Sequence, residues 1–282
     1  MGFCPEEVAG SIGGGHGDEG RAGPAAGRGV LHGAFAVLEE LARVEEAGLT
    51  QLAVATGLPK ATAHRLLCRL TDLGVVHRED GGRYRIGTRM FRWGQRWSPA
   101  QVLSTAAVRP LRRLAAAGCS VTIAVRDGDD VIVVAGIGDP AVDEVFRMRP
   151  GVVLPAASAA EVVLAVGNPA SALRPDPGWS LPQGHSRAEW ARRVGDARDR
   201  RVAFDFEAAL PPLGCVAAPV RAPTGAVVAA AAVVVVGTNR LPLLADAVRE
   251  TAACISANLA RVPGAGRSLS LLAAPEGPPR DR

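Results

Sequence analysis

Between positions 60 and 69 the chain sets out Lys60, Thr62, His64, Arg65 and Arg69, with no acid among them. Ammonium, hydroxyl, imidazole and guanidinium groups in that density are donors suited to phosphate oxygens and to base edges in the major groove. Thr62 and Arg65 are three apart and share one face of a helix. Further on, Arg83 and Arg85 are two apart and share one face of an extended segment, placed to hold a flanking phosphate backbone or a minor groove. Their chemistry is recognition, with Thr62, His64 and Arg65 reaching bases and Lys60 and Arg69 gripping phosphates.

Other chemistries find little support. Cys4, Cys68, Cys119, Cys215 and Cys254 are scattered without paired spacing and odd in number, which argues against a disulfide framework or a zinc site and fits a reducing compartment. A nucleophile with its base can be drawn only from Cys215, His185 and Asp205, a sketch of a cysteine-dependent hydrolase. The simpler reading of Cys215 is a buried strand cysteine. Gly13, Gly14 and Gly15 follow no strand, so no phosphate loop stands there. No cofactor, metal or catalytic residue is expected.

The elements that must position the donors are legible. Residues 51–56 form a short helix with Leu52 and Ala53 inward, Gly57 allows a tight turn, and a second helix starts at Pro59 or Lys60. Ala63, Leu66, Leu67, Leu70 and Leu73 recur at helical spacing and face inward. Gly74 ends that helix, and residues 75–78 and 83–86 pair as a hairpin around a polar tip. This is a winged helix-turn-helix. The competing reading, an amphipathic hairpin with a solvated face, leaves the wing and the charge unexplained. From Lys60 to Trp97 nine Lys or Arg stand against three acids, a net of +6, whereas the chain is +4, so the basicity is local. With 31 Arg and one Lys in a chain rich in Ala, Gly and Pro, the arginine count reflects GC-rich codons, and placement alone carries the argument.

The domains expected are a disordered leader at 1–28, a DNA-binding domain at 29–87, a linker helix at 88–101, a second domain at 102–262 and a flexible tail at 263–282. Residues 30–46 form the first helix, with Val30, Ala34, Val37, Leu38 and Leu41 inward, and Gly48 closes it. The aromatics Phe91, Trp93 and Trp97 among arginines are packing anchors for a subunit contact, and Pro99 breaks that helix. In the second domain, strands are expected at 120–126, 131–137, 145–149, 202–204, 215–221 and 226–236. Helices are expected at 102–117, split near Pro110, at 156–166, at 187–200 behind a Ser186/Glu189 capping box, and at 243–261, with a Pro- and Gly-dense loop at 168–184. That order gives an α+β fold with an antiparallel sheet. The run at 226–236 is half the length of a membrane span, so no membrane partner is expected.

The strings GLPKATAHRLL at 57–67, GRYRIG at 82–87 and CVAAPV at 215–220 together resemble the IclR family of bacterial transcription regulators. That resemblance implies a cytoplasmic repressor or activator that binds a palindromic operator in double-stranded DNA as a homodimer or homotetramer. It also implies a GAF-like second domain with a small-molecule effector near Asp205 and Cys215, with Ala156 and Ala157 on the helix side and Val234 and Val236 on the strand side. This chain departs from the family in placing Val and Ala where polar groups hold small carboxylates. An apolar wall does not repay the desolvation of a carboxylate. The effector is therefore expected to be apolar or aromatic, or else the pocket has closed.

Overall fold

The structure, a computed structural model, describes residues 25–167 and 186–273, so the expected leader before residue 25, the 168–184 loop, His185 and the last nine residues lie outside the described residues. The chain divides into two compact units, Met1–Gly94 and Gln95–Arg282.

The first unit packs helices α1 (Ala25–Val44), α2 (Leu49–Thr56) and α3 (Lys60–Asp72) against a small sheet, and α4 (Thr88–Gly94) follows. Strands β1 (Glu46–Gly48), β2 (Val76–Arg78) and β3 (Arg83–Ile86) pair antiparallel in the order β1-β3-β2. Val37, Leu41, Leu52, Leu67, Leu70, Val76 and Tyr84 make one core. Gly57 closes α2 in the left-handed region (φ 67°), which only a residue without Cβ adopts at little cost. Gly87 is fixed by space: a Cβ there would collide with the carbonyl oxygen of Gly74, while its N–H donates to Val75 O at 2.7 Å.

Several expectations for this unit change. Helix α1 begins at Ala25, inside the expected leader, and Val30 faces solvent, as does Leu73 beyond the last turn of α3. Glu45, with φ 66°, ends α1, so Glu46 enters a strand that hydrophobic spacing does not reveal and Gly48 caps α2 instead of closing α1.

The second unit is a five-stranded antiparallel sheet covered on both faces. Strands β4 (Ser120–Asp127), β5 (Asp130–Ile137), β6 (Ala203–Leu210), β7 (Leu213–Arg221) and β8 (Val227–Val236) run in the order β5-β4-β8-β7-β6. On one face α5 (Ser98–Ala115) packs with two later helices, Leu241–Leu259 and Ala265–Ala273, through Leu103, Leu111, Val216, Val233, Val248 and Ile255. On the other, α6 (Pro140–Asp143), α7 (Ala159–Gly167) and α8 (Arg187–Arg200) meet Ala217, Ala230, Ala232 and Val234. Burial on both faces explains the unbroken apolar run of β8, since neither set of alternating side chains meets water.

Here too the expectations shift. Pro99 lies in the first turn of α5 and starts that helix, where a missing N–H costs nothing, and α5 continues through Pro110. Residues 145–149 form no strand; Val153, farther on, makes an isolated bridge to Ile132. Residues 265–273, expected to be loose, form α10, following α9 (Leu241–Leu259), and bury Ala265 and Leu269. Ser186 accepts from the Glu189 N–H at 3.1 Å, as the capping box predicts.

Candidate nucleic-acid interface and effector cavity

The sequence of α3 separates two faces. Ala63, Leu66, Leu67 and Leu70 are buried, and Lys60, His64, Arg65, Cys68 and Arg69 are exposed, with Thr62 half-buried between them. Among the described residues Lys60, Arg65 and Arg69 make no ion pair, so their charge is uncompensated at short range. Helix α3 has no side-chain N-cap, which leaves its first N–H groups and the positive end of its dipole at the same place.

The wing is electrostatically different. Arg83 and Arg85 alternate with buried Tyr84 and project from β3 as expected, but both are already engaged. Arg83 Nε lies 2.9 Å from Glu46 Oε1 and its Nη2 donates to Glu46 O at 3.2 Å. Arg85 Nε lies 2.7 Å from Glu79 Oε1, an ion pair in which the N–H is not aligned as a hydrogen bond. Each pair is partly exposed and weak, yet it offsets the charge a phosphate would feel. Arg78, unnamed by the sequence reading, sits 5.7 Å from the centre of the Tyr84 ring as a further wing cation. The alternation of β2 would not have found it, because Arg78 falls on the same face as buried Val76. Beyond the wing, Arg89 donates to Leu73 O at 2.7 Å and covers Trp93 at 4.9 Å, while Phe91 and Trp93 remain exposed.

In the second unit, pairing aligns Asp205 with Cys215 and Cys215 with Val234 across β6, β7 and β8. These three line a cavity of about 30 Å³ together with Thr122, Met148, Leu154 and Ser158. Of the other residues predicted for it, Ala156 is exposed, and Val236, 49% exposed, lies at the strand end outside the cavity. Ala157 is buried, but its backbone is used in the fold: its N–H donates to Glu161 at 2.5 Å and its carbonyl accepts from Arg193 at 2.9 Å. The helix expected from 156 starts at Ala159, with φ 59° at Ala157 turning the chain before it.

Asp205 is buried and holds a local turn. Its carboxylate accepts from Ala208 N–H at 2.8 Å and Ala209 N–H at 3.3 Å, closing the irregularity in β6 between Phe206 and Leu210. Burial pushes the Cys215 thiol well above its ordinary range, and the neighbouring Asp205 pushes it further. A thiol held neutral in this way is the opposite of an activated nucleophile. A second, open groove of about 290 Å³, which the sequence reading missed, runs between α8 and β6 past Glu189, Arg193, Asp196, Arg200, Phe204 and Phe206. Its walls carry both signs of charge.

Comparison with known proteins agrees with this geometry. Residues 31–80 match the IclR helix-turn-helix domain. No curated protein matches the sequence. Among solved structures, an IclR homolog from Microbacterium hydrocarbonoxydans, complexed with 4-hydroxybenzoate, is similar at a TM-score of 0.69 and 20% identity, covering 83% of this chain and 100% of that one. The Thermotoga maritima IclR is similar at 0.60 and 19%, covering 83% and 99%. An IclR transcriptional regulator from Alicyclobacillus acidocaldarius is similar at 0.62 and 21%, covering 82% and 98%. At these identities the structures speak for the fold alone, and the family match speaks for residues 31–80. Among the described residues no helix is long and apolar enough to cross a membrane. Residues 31–80 thus form a helix-turn-helix domain of the IclR type, and the two-unit fold is shared with solved IclR-type regulators.

Proposed function

We propose that this DNA-binding transcriptional regulator reads a palindromic operator by seating α3 in the major groove. Thr62, His64 and Arg65 meet base edges, Lys60 and Arg69 meet phosphates, and Arg83 and Arg85 steady the flanking backbone. The observation that carries this reading is the exposed face of α3, whose cations have no acid partner among the described residues. Salt-dependent retention on double-stranded DNA tests it: Arg65→Ala is expected to lose preference for the selected operator over random duplex, whereas Arg83→Ala weakens both alike. Equal losses for Arg65→Ala on both duplexes would refute the base-reading role.

The protein acts as a homodimer or homotetramer in the cytoplasm. Leu31 and Phe35 lie one turn apart on α1 and are 64% and 60% exposed, an apolar strip suited to a second copy. Phe35→Glu is expected to convert the assembly to monomers in light scattering.

Its effector is an apolar or aromatic compound bound beside Asp205, Cys215 and Val234. The apolar lining supports this, as does the aromatic ring of the 4-hydroxybenzoate held by the Microbacterium hydrocarbonoxydans homolog, whose carboxylate would need a donor that the apolar wall does not supply. A second reading has its own observation. The cavity of about 30 Å³ is the share of one water, and an engineered cavity that binds benzene holds about 150 Å³. On that reading the pocket is closed and no effector is sensed. Thermal shift with 4-hydroxybenzoate and pyruvate separates them: stabilisation by the aromatic acid alone supports the first, and by neither the second.

A further inference from the structure

The open groove between α8 and β6 serves neither DNA recognition nor the cavity beside Cys215. One face of α8 lines it with Glu189, Arg193, Asp196 and Arg200, at steps of four, three and four residues, so its wall alternates in charge. Glu189 with Arg193, and Asp196 with Arg200, have the i, i+4 spacing at which ion pairs form along a helix, yet among the described residues none of the four enters one. Arg193 turns to the fold instead. Its Nη2 donates to Ala157 O at 2.9 Å and to Phe204 O at 3.3 Å, and its Nη1 is buried without a partner among the described residues. A buried donor lacking an acceptor carries the cost of its lost hydration, which an anionic group seated in the groove offsets. Val162 and Ala197 give the groove an apolar floor, and Phe206, 57% exposed, adds an apolar rim.

We infer that this groove binds a zwitterionic amino acid with an apolar side chain. The ligand carboxylate lies toward Arg193 and Arg200, its ammonium toward Glu189 and Asp196, and its side chain against the floor and Phe206. A simple anion meets two acids along the same wall and a simple cation meets two arginines, so the wall favours a ligand that carries both signs. The volume, about 290 Å³, lies at the small end of metabolite sites and suits a single amino acid. The groove and the cavity beside Cys215 share Asp205 alone among their lining residues and are separate sites. Asp196 and Arg200 stand in water, so affinity is modest. The inference rests on neither the docking of α3 nor an effector in the cavity.

Isothermal titration calorimetry of the full chain with L-leucine and L-phenylalanine tests it. Two analogues of leucine accompany them: 4-methylpentanoate, which lacks the ammonium, and 3-methylbutylamine, which lacks the carboxylate. Saturable binding of at least one amino acid is expected, with each leucine analogue weaker than L-leucine by about tenfold. Asp196→Asn and Arg200→Gln change exposed side chains, and each is expected to weaken amino-acid binding by about tenfold while far-ultraviolet circular dichroism stays unchanged. Failure of both amino acids to bind overturns the site. Binding that survives both substitutions puts the ligand elsewhere and overturns the assignment to the groove. An analogue that binds as tightly as L-leucine overturns the zwitterion class. Each of these failures leaves the DNA-binding reading standing, because no DNA enters the measurement.

Discussion

The recognition face of α3 and the cavity beneath α7 are opposite solutions to holding polar groups. On α3 the donors stand in water, with Lys60, Arg65 and Arg69 unpaired among the described residues. In the second unit Asp205 is buried and committed to the Ala208 and Ala209 amides, and Cys215 is held as a neutral thiol. An exposed cation keeps its hydration until a phosphate arrives, so a binding face can be left ready. A buried carboxylate without donors is costly, so the fold supplies them from its own backbone. What the difference teaches is that readiness to bind is read from unspent hydrogen-bonding capacity. The exposed face of α3 has it, and most of the buried site does not.

Four substitutions break or sharpen that contrast. The largest effect is expected from Gly87→Ala, because the new Cβ meets the rigid Gly74 carbonyl where the wing returns to the end of α3. A loss of about 3 kcal/mol in urea unfolding of the first unit is expected; a neutral result would show that the wing is not clamped there. Next, Arg65→Ala costs about 1–3 kcal/mol of specific binding, measured by fluorescence anisotropy on selected operator DNA, with stability unchanged.

Thr122 is the one cavity residue whose buried hydroxyl lacks a partner among the described residues. Thr122→Val keeps the shape, removes that oxygen and is expected to raise stability by about 1 kcal/mol, read as a higher Tm. A loss instead would mean that a bound water or ligand uses the hydroxyl, and the contrast would narrow. The smallest effect is expected from Glu79→Gln, which frees Arg85: non-specific DNA affinity rises by about 0.2–1 kcal/mol and the salt slope steepens.

Much of this was legible in the chain itself, for reasons tied to short range. Helical spacing of Ala63, Leu66, Leu67 and Leu70 fixes which face of α3 is inward, and so which donors are outward. Gly57 and Pro59 mark the turn because φ limits act within a residue, and the Ser186 cap acts across three. Residues 265–273 were misread because single apolar residues at Ala265 and Leu269 are persuasive only once a neighbouring core exists to bury them. Strand β1, three residues long, has too short a pattern to declare itself before β3 pairs with it.

The chain by itself thus determined most of the elements, the outward-facing donors of α3 and the covered sheet, since periodicity and charge are properties of neighbours along the backbone. Only the tertiary structure decided that Arg83 and Arg85 are paired with Glu46 and Glu79, that Asp205 is occupied by its own turn, and that the cavity beside Cys215 is as small as about 30 Å³. Those outcomes depend on distances between residues far apart in sequence, and on how closely side chains from different strands and helices fill the space they share.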